Sequence, residues 1–271
     1  MKTIILGLAF FSLTGMLFAQ KSGDYSKIPV LVREAKKKND FRLADSLSQD
    51  YIENYLLKLR EEELMTSENL SFISKNLSNT EGKAFQLFSK QSDRVNLVLG
   101  TDKAESALKN AISNQFLSTI EDSDPNWSMI EHKMRSKFGE LGREIVYGKR
   151  MNYYIGIKDW TNFGKYYLLY FEKALKRPDY DVNDVTWFLF ENVNSPKILS
   201  YACDVVMKYA LEEWYSMDFN AYDTYANLLY KTGRIEQAIY WEEKAVKSSN
   251  RGKVFVETLD KMRKEKRTWA N

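Results

Sequence analysis

Between Ala221 and Val246 the chain reads AYDTYANLLYKTGRIEQAIYWEEKAV, with small residues at Ala226, Ala238 and Ala245 among aromatic and branched neighbours and Gly233 at a break. Two helices that cross closely need side chains no larger than alanine at the crossing, and the reversal between them needs a residue that tolerates unusual backbone angles. The stretch therefore predicts an antiparallel pair of helices turning at Lys231, Thr232 and Gly233, with Ala245 as a further small contact for the next helix. One hairpin of that size cannot bury its own apolar face, so hairpins of this kind stack.

Composition extends the reading to the rest of the chain. Four prolines and 12 glycines in 271 residues leave long uninterrupted segments, which favours helices over a turn-dense β fold. A content of 44% hydrophobic and 28% charged residues is that of a globular chain, long enough for one elongated domain or two small ones. The 40 basic and 37 acidic residues are interspersed, so nothing in the balance calls for nucleic acid. A single cysteine, Cys203, excludes an intramolecular disulfide and any Cys-x-x-Cys redox or zinc motif.

Residues 1–19 read as a signal peptide. Lys2 gives the positive start, IILGLAFFSLTGMLF the apolar run, and Ala19 before Gln20 the cleavage point. The run is short for a membrane-spanning helix, polar sequence follows at once, and no cysteine follows to carry a lipid anchor. The expectation is a periplasmic or secreted protein with no stable membrane span after cleavage.

Two regions follow. In 20–122, an N-terminal helical subdomain is expected: Ile28, Val32 and Ala35 open one apolar face, and Leu43, Leu47, Tyr51, Tyr55 and Leu59 continue it at intervals of four after a turn. A further stripe is Ala104, Leu108, Ile112 and Phe116. At SDPNW, Ser123 or Asp124 is the expected cap and Pro125 the first helical turn. In 123–271, hairpins are expected around Lys158-Asp159, Asn194-Ser195-Pro196 and Lys231-Thr232-Gly233, ending in a C-terminal capping helix with the basic tail KMRKEKRTWAN.

The segment from Phe219 to Gly252 resembles the tetratricopeptide repeat in its small residues Ala226, Ala238 and Ala245 and its turn at Gly233. It departs from that pattern at Tyr225, at Glu242, where an aromatic is usual, and at Asn250, where proline would end the unit. The resemblance implies an all-α fold of stacked antiparallel hairpins in a right-handed superhelix with a groove. More widely, ENLSFISKNLSNTEGKAFQLFSKQSDRV, VTWFLFENVNSPKILSYACDVV and DTYANLLYKTGRIEQAIYWEEKAV are similar to the helical region that follows the thioredoxin fold in exported thioredoxin-like proteins of Gram-negative bacteria. The thioredoxin portion and its Cys-x-x-Cys are absent here, so the resemblance implies a partner-binding role in the envelope and carries no redox residue.

Candidate chemistry is sparse. Asp179, Asp181 and Asn183 stand at the alternate spacing of a calcium loop, but Asp184 replaces the turn glycine and Phe190 the bidentate glutamate, so capping of the next helix by Asn183 or Asp184 is the better reading. His132 is the chain's single histidine and has no partner for a zinc site; Cys203 reads as a buried small hydrophobe. Tyr154, Tyr166, Tyr170 and Tyr222 are the candidates for lining a groove, where tyrosine serves peptide anchoring and sugar stacking alike. The expectation is thus a non-catalytic module without cofactor or metal, presenting a groove to an envelope protein or peptide. The alternative is a carbohydrate-binding or glycoside-cleaving helical array, which would need a pair of carboxylates about 5 to 9 Å apart in an aromatic cleft.

Overall fold

The computed structural model describes residues 25–118, 120, 125–173, 180–214 and 218–269. The predicted leader, Ser123, Asp124 and Asp179 lie outside them. The architecture is all-α, with no strand among the described residues, and no described helix is long and apolar enough to cross a membrane. The chain divides into two compact units, Met1–Ser123 and Asp124–Asn271.

The first unit is built from short helices: α1 (Ile28–Lys37), α2 (Phe41–Asn54), α3 (Glu61–Leu64), α4 (Ser67–Asn76), α5 (Lys83–Lys90), α6 (Ser92–Leu99) and α7 (Lys103–Phe116). Helix α1 buries Ile28, Val32 and Ala35 and packs along α2. The face that α2 buries differs from the expected stripe: Ala44, Leu47, Ser48, Tyr51 and Ile52 are inside, whereas Tyr55 is exposed and a 3-10 turn, Leu56–Lys58, replaces the helix before Leu59. The reason is geometric, since residues four apart drift by about 40° per step around an α-helix, so a stripe of strict fours leaves the core within two turns. The side chain of Asn76 joins three helices, its Oδ1 accepting from Lys36 Nζ at 2.8 Å and Ser48 Oγ at 3.2 Å.

The second unit contains α8 (Trp127–Gly156), α9 (Trp160–Lys173), α10 (Val182–Asn192), α11 (Pro196–Val205) running on into a π-helical stretch (Val206–Trp214), α12 (Phe219–Lys231), α13 (Ile235–Ser248) and α14 (Lys253–Arg263). Helix α8 is two helices: Gly139, at φ 60° and ψ −138°, reverses the chain so that 127–138 lies back along 140–156. The rings of Trp127 and Tyr153 are consequently 5.4 Å apart, where a straight helix would separate them by about 39 Å. The cap of this element is Asn126, whose side chain accepts from the Met129 N–H at 3.1 Å. Pro125 therefore precedes the cap and does not form the first helical turn, because the Asn126 side chain, one residue later, takes the first free amide.

The expected hairpin of α12 and α13 is present, with Ala226, Ala238 and Ala245 fully buried and Gly233 at φ 83°. Its turn is a Schellman cap: the Arg234 N–H donates to the Leu229 carbonyl at 2.9 Å and the Gly233 N–H to that of Tyr230 at 3.0 Å. The same bond pattern closes α1 at Asn39, α8 at Lys158, α13 at Asn250 and α14 at Glu265, each with positive φ. The core of the unit is aromatic, with Phe163, Tyr167, Phe171, Phe190 and Tyr209 buried together.

Candidate functional site

A cleft of about 460 Å³ opens in the second unit where the ends of several helices converge. Trp160, at the start of α9, and Trp269, in the tail after α14, are aromatic lining residues; Pro196 and Leu199 contribute from the start of α11. Its polar lining is Glu191, Asn192, Asn194, Lys231 and Arg267. Lys231 ends α12, and its ammonium donates to the Phe190 carbonyl at 2.5 Å, near the negative end of α10, while standing 5.3 Å from both the Phe190 and Trp269 rings. Partial burial pulls the Lys231 ammonium below its usual range, and the charge of Glu191 opposes that shift. The tail brings Trp269 edge-on to Phe190 at 6.1 Å and to Tyr230 at 6.3 Å, so the basic end of the chain folds onto its own unit.

The four candidate groove tyrosines are elsewhere. Tyr166, Tyr170 and Tyr222 are buried, and Tyr154 is half-buried at the edge of the same core. Tyr154 stacks on Tyr166 at 5.5 Å, and the Tyr166 ring carries the Arg150 guanidinium at 3.9 Å; Tyr222 packs on Trp241 at 5.5 Å. Packing takes these rings because large aromatic surfaces gain most from leaving water. The cleft residues were not singled out in the sequence, because they come from helix ends and a tail that meet only in space.

A second polar cluster lies inside the α12–α13 hairpin. Asp223 and Asn227 are one turn apart on α12, and the Asn227 amide Nδ2 donates to both the Asp223 carbonyl and Oδ1 at 2.9 Å. Across the hairpin, Glu242 is 0% exposed, Asn227 1% and Asp223 7%. Burial raises the Asp223 carboxyl to about 6, against the lowering effect of its bonds to Glu242 and Asn227. Burial raises Glu242 further, to about 10, helped by the neighbouring Asp223 charge. The two carboxyls are in hydrogen-bond contact across the hairpin and share a proton, while Asn227 Oδ1 is buried without a partner. Glu242 is the position where the repeat pattern carries an aromatic, which was the one signal in the sequence.

The remaining candidates take structural places. Asp181 caps α10, accepting from the Asp184 N–H at 3.1 Å, so the cap is Asp181 and neither Asn183 nor Asp184; Asn183 Oδ1 instead accepts from Thr224 Oγ1 at 2.7 Å. The Asp side chain reaches the amide three residues on, which Asn183 and Asp184, already inside the helix, cannot do. His132 is exposed. Cys203 is buried, with Arg234 Nη2 donating to its Sγ at 2.7 Å; burial outweighs the positive charge and pushes the thiol up to about 11. Among the described residues, no group of three or more His, Cys, Asp or Glu side chains is gathered for a metal ion. No family model, curated protein or solved structure matches the chain.

Proposed function

We propose that the chain is an exported, non-catalytic interaction module whose second unit stacks its hairpins as a tetratricopeptide-like right-handed superhelix and binds a protein or peptide of the envelope. The observation that carries the reading is the cleft lined by Trp160, Lys231 and Trp269. It offers two indoles for apolar anchoring, the side-chain amides of Asn192 and Asn194 for a peptide backbone, and charges of both signs at its rim. The buried alanines of α12 and α13 support the repeat geometry, since they allow the close helix approach that a stacked array needs. Export is supported by the leader-like sequence of residues 1–19. Among the described lining residues the cleft has one carboxylate, Glu191, which favours binding over glycoside cleavage, where two are required.

The test is site-specific photo-crosslinking in the native host. A photoreactive residue at Trp160 or Asn194 is expected to trap one or two envelope proteins, and the same residue at exposed His132 is expected to trap none of them. The Trp269→Ala variant should weaken that cross-link by about tenfold, the effect of losing one aromatic anchor. Equal trapping at all three positions would overturn the assignment of the cleft.

A further inference from the structure

Another recess, of about 390 Å³, lies in the first unit and is lined by α1, α2 and α4. Its floor is apolar, with Pro29 and Val32 from α1, Tyr51 from α2 and Phe72 from α4, the Phe72 ring standing edge-on to Tyr51 at 5.0 Å. Its rim is charged, and unevenly so. Arg33 and Lys36 come from α1 and Lys75 from the last turn of α4, against one acid among the described lining residues, Glu68 in the first turn of α4. These side chains are exposed, and no ion pair among the described residues uses Arg33, Lys36 or Lys75. Lys36 is nonetheless held in place: its ammonium donates to Asn76 Oδ1 at 2.8 Å, and Asn76 Nδ2 donates to the Phe72 carbonyl at 2.7 Å. That link ties the end of α1 to the end of α4 and leaves further ammonium donors to spare.

We propose that this groove docks an acidic peptide segment of a protein partner, which seats an aliphatic or aromatic side chain on Val32, Tyr51 and Phe72 and sets its carboxylates against Arg33, Lys36 and Lys75. Charge selects the sign of the partner. Three cations against one carboxylate leave a positive excess that an acidic segment neutralises and that repels a basic one. Shape selects the class of partner, since a recess near the lower end of the roughly 300–1,000 Å³ range of ligand sites takes the side chains of a peptide and not a whole helix. A flat anionic membrane would meet the rim cations and leave the recessed Tyr51, 8% exposed, unused. A second copy of the chain is a poor match, because its acidic run Glu61, Glu62 and Glu63 is already met by Arg60 and Arg94. The groove shares no residue with the cleft of the second unit.

The experiment selects random peptides displayed on phage against the immobilised full chain, with counter-selection on a double variant, Arg33→Glu with Lys75→Glu. Enriched peptides are then synthesised with a fluorophore and their affinities measured by anisotropy. Expected are peptides with clustered Asp and Glu beside a leucine or aromatic residue, weakened about tenfold by the double variant and weakened again by added salt. Neither substituted side chain makes a hydrogen bond or ion pair among the described residues, so the double variant should keep the wild-type circular dichroism spectrum and Tm. Ser71→Trp fills the recess and leaves every charge in place; it should abolish binding, whereas attraction to an open basic surface would survive it. Asn194→Ala, in the cleft of the second unit, is expected to leave these affinities unchanged. The proposal is overturned if no enriched peptide separates the wild type from the double variant, if the peptides lack acids, or if they bind Ser71→Trp as well as the wild type. A dimer seen by light scattering and lost in the double variant would assign the groove to a second copy and overturn the peptide. Flotation with phosphatidylglycerol vesicles, lost in the same variant, would assign it to a membrane and overturn it equally. If Ser71→Trp fails to fold, the double variant still decides the matter.

Discussion

Two hairpins of the second unit close in the same way and fill their interiors oppositely. At Gly139 and at Gly233 a glycine with positive φ reverses the chain, and small residues let the arms approach: Gly142 in the first, Ala226 and Ala238 in the second. The first hairpin then encloses a cation beside its acid, with the Arg150 Nε left without a hydrogen bond. Arg150 is an ion-pair partner of Glu131 at 3.6 Å, stands over the Trp127 and Tyr166 rings at 5.3 and 3.9 Å, and Tyr147 donates its hydroxyl to Glu131 at 3.0 Å. The second encloses two acids in hydrogen-bond contact with each other and an amide that donates to one of them. The difference separates two demands on a buried polar group: shape can be met by small residues alone, but charge must be met by a partner. The first hairpin meets its acid with a cation, and the second meets its acids with a proton held between them.

The comparison breaks most severely at Gly142. A Cβ there would run into the Met134 carbonyl and stand 3.1 Å from the Phe138 side chain, and the first of these is backbone that cannot rotate away. Gly142→Ala should therefore destabilise the second unit by about 3 kcal/mol, through overpacking of a close approach. Gly156→Ala, at a helical position with nothing near its added carbon, should be neutral or stabilising by up to about 0.5 kcal/mol. Denaturant unfolding of the two variants measures the contrast directly, and equal stability would show that the 127–138 and 140–156 segments do not lie together.

These two hairpins also mark how far the sequence could be read. The α12–α13 pair was legible because its turn falls between two amphipathic helices and uses glycine. The reversal at Gly139 was hidden because the flanking residues, KFGEL, carry no turn chemistry beyond the glycine itself, and a glycine inside a helical pattern is ordinarily tolerated there. Four further Schellman caps rest on Asn39, Lys158, Asn250 and Glu265; asparagine tolerates left-handed angles, whereas Lys158 and Glu265 are held in them by the bonds around them. The helical class and the aliphatic stripes of α1 and α7 were readable from periodicity. The cleft was not, since Trp160 and Lys231 belong to helix ends and Trp269 to the tail, far apart in the chain. Glu242 was visible only as an exception to a pattern, with no indication that Asp223 would face it.

The balance in the first hairpin is sharpened by removing its cation. Arg150→Met keeps much of the apolar stem against Trp127 and Tyr166 but leaves Glu131 with the Tyr147 hydroxyl as its main partner. A loss of about 2 kcal/mol is expected, below the full effect of breaking a buried pair because the Glu131 side chain remains 28% exposed. A double variant that also carries Glu131→Gln should recover part of that loss, and unfolding of the four combinations yields the coupling. Additive effects would mean that the ion pair contributes nothing.

The second hairpin is probed by pH. Both acids have folded-state pKa values above their unfolded ones: Asp223 goes from 3.8 to about 6 and Glu242 from 4.5 to about 10. The folded state therefore binds more protons than the unfolded state across this window, and linkage makes stability fall as pH rises. The contribution of the pair is full below about pH 4, where both states are protonated, declines from there as the unfolded acids ionise, and is gone above the folded value of Glu242. Glu242→Gln removes the steeper of the two dependences, so the variant should equal the wild type near pH 4 and exceed it by more than about 1 kcal/mol at pH 8. Parallel stability curves for the two proteins from pH 4 to 9 would show that Glu242 meets solvent or a counter-charge in the folded state.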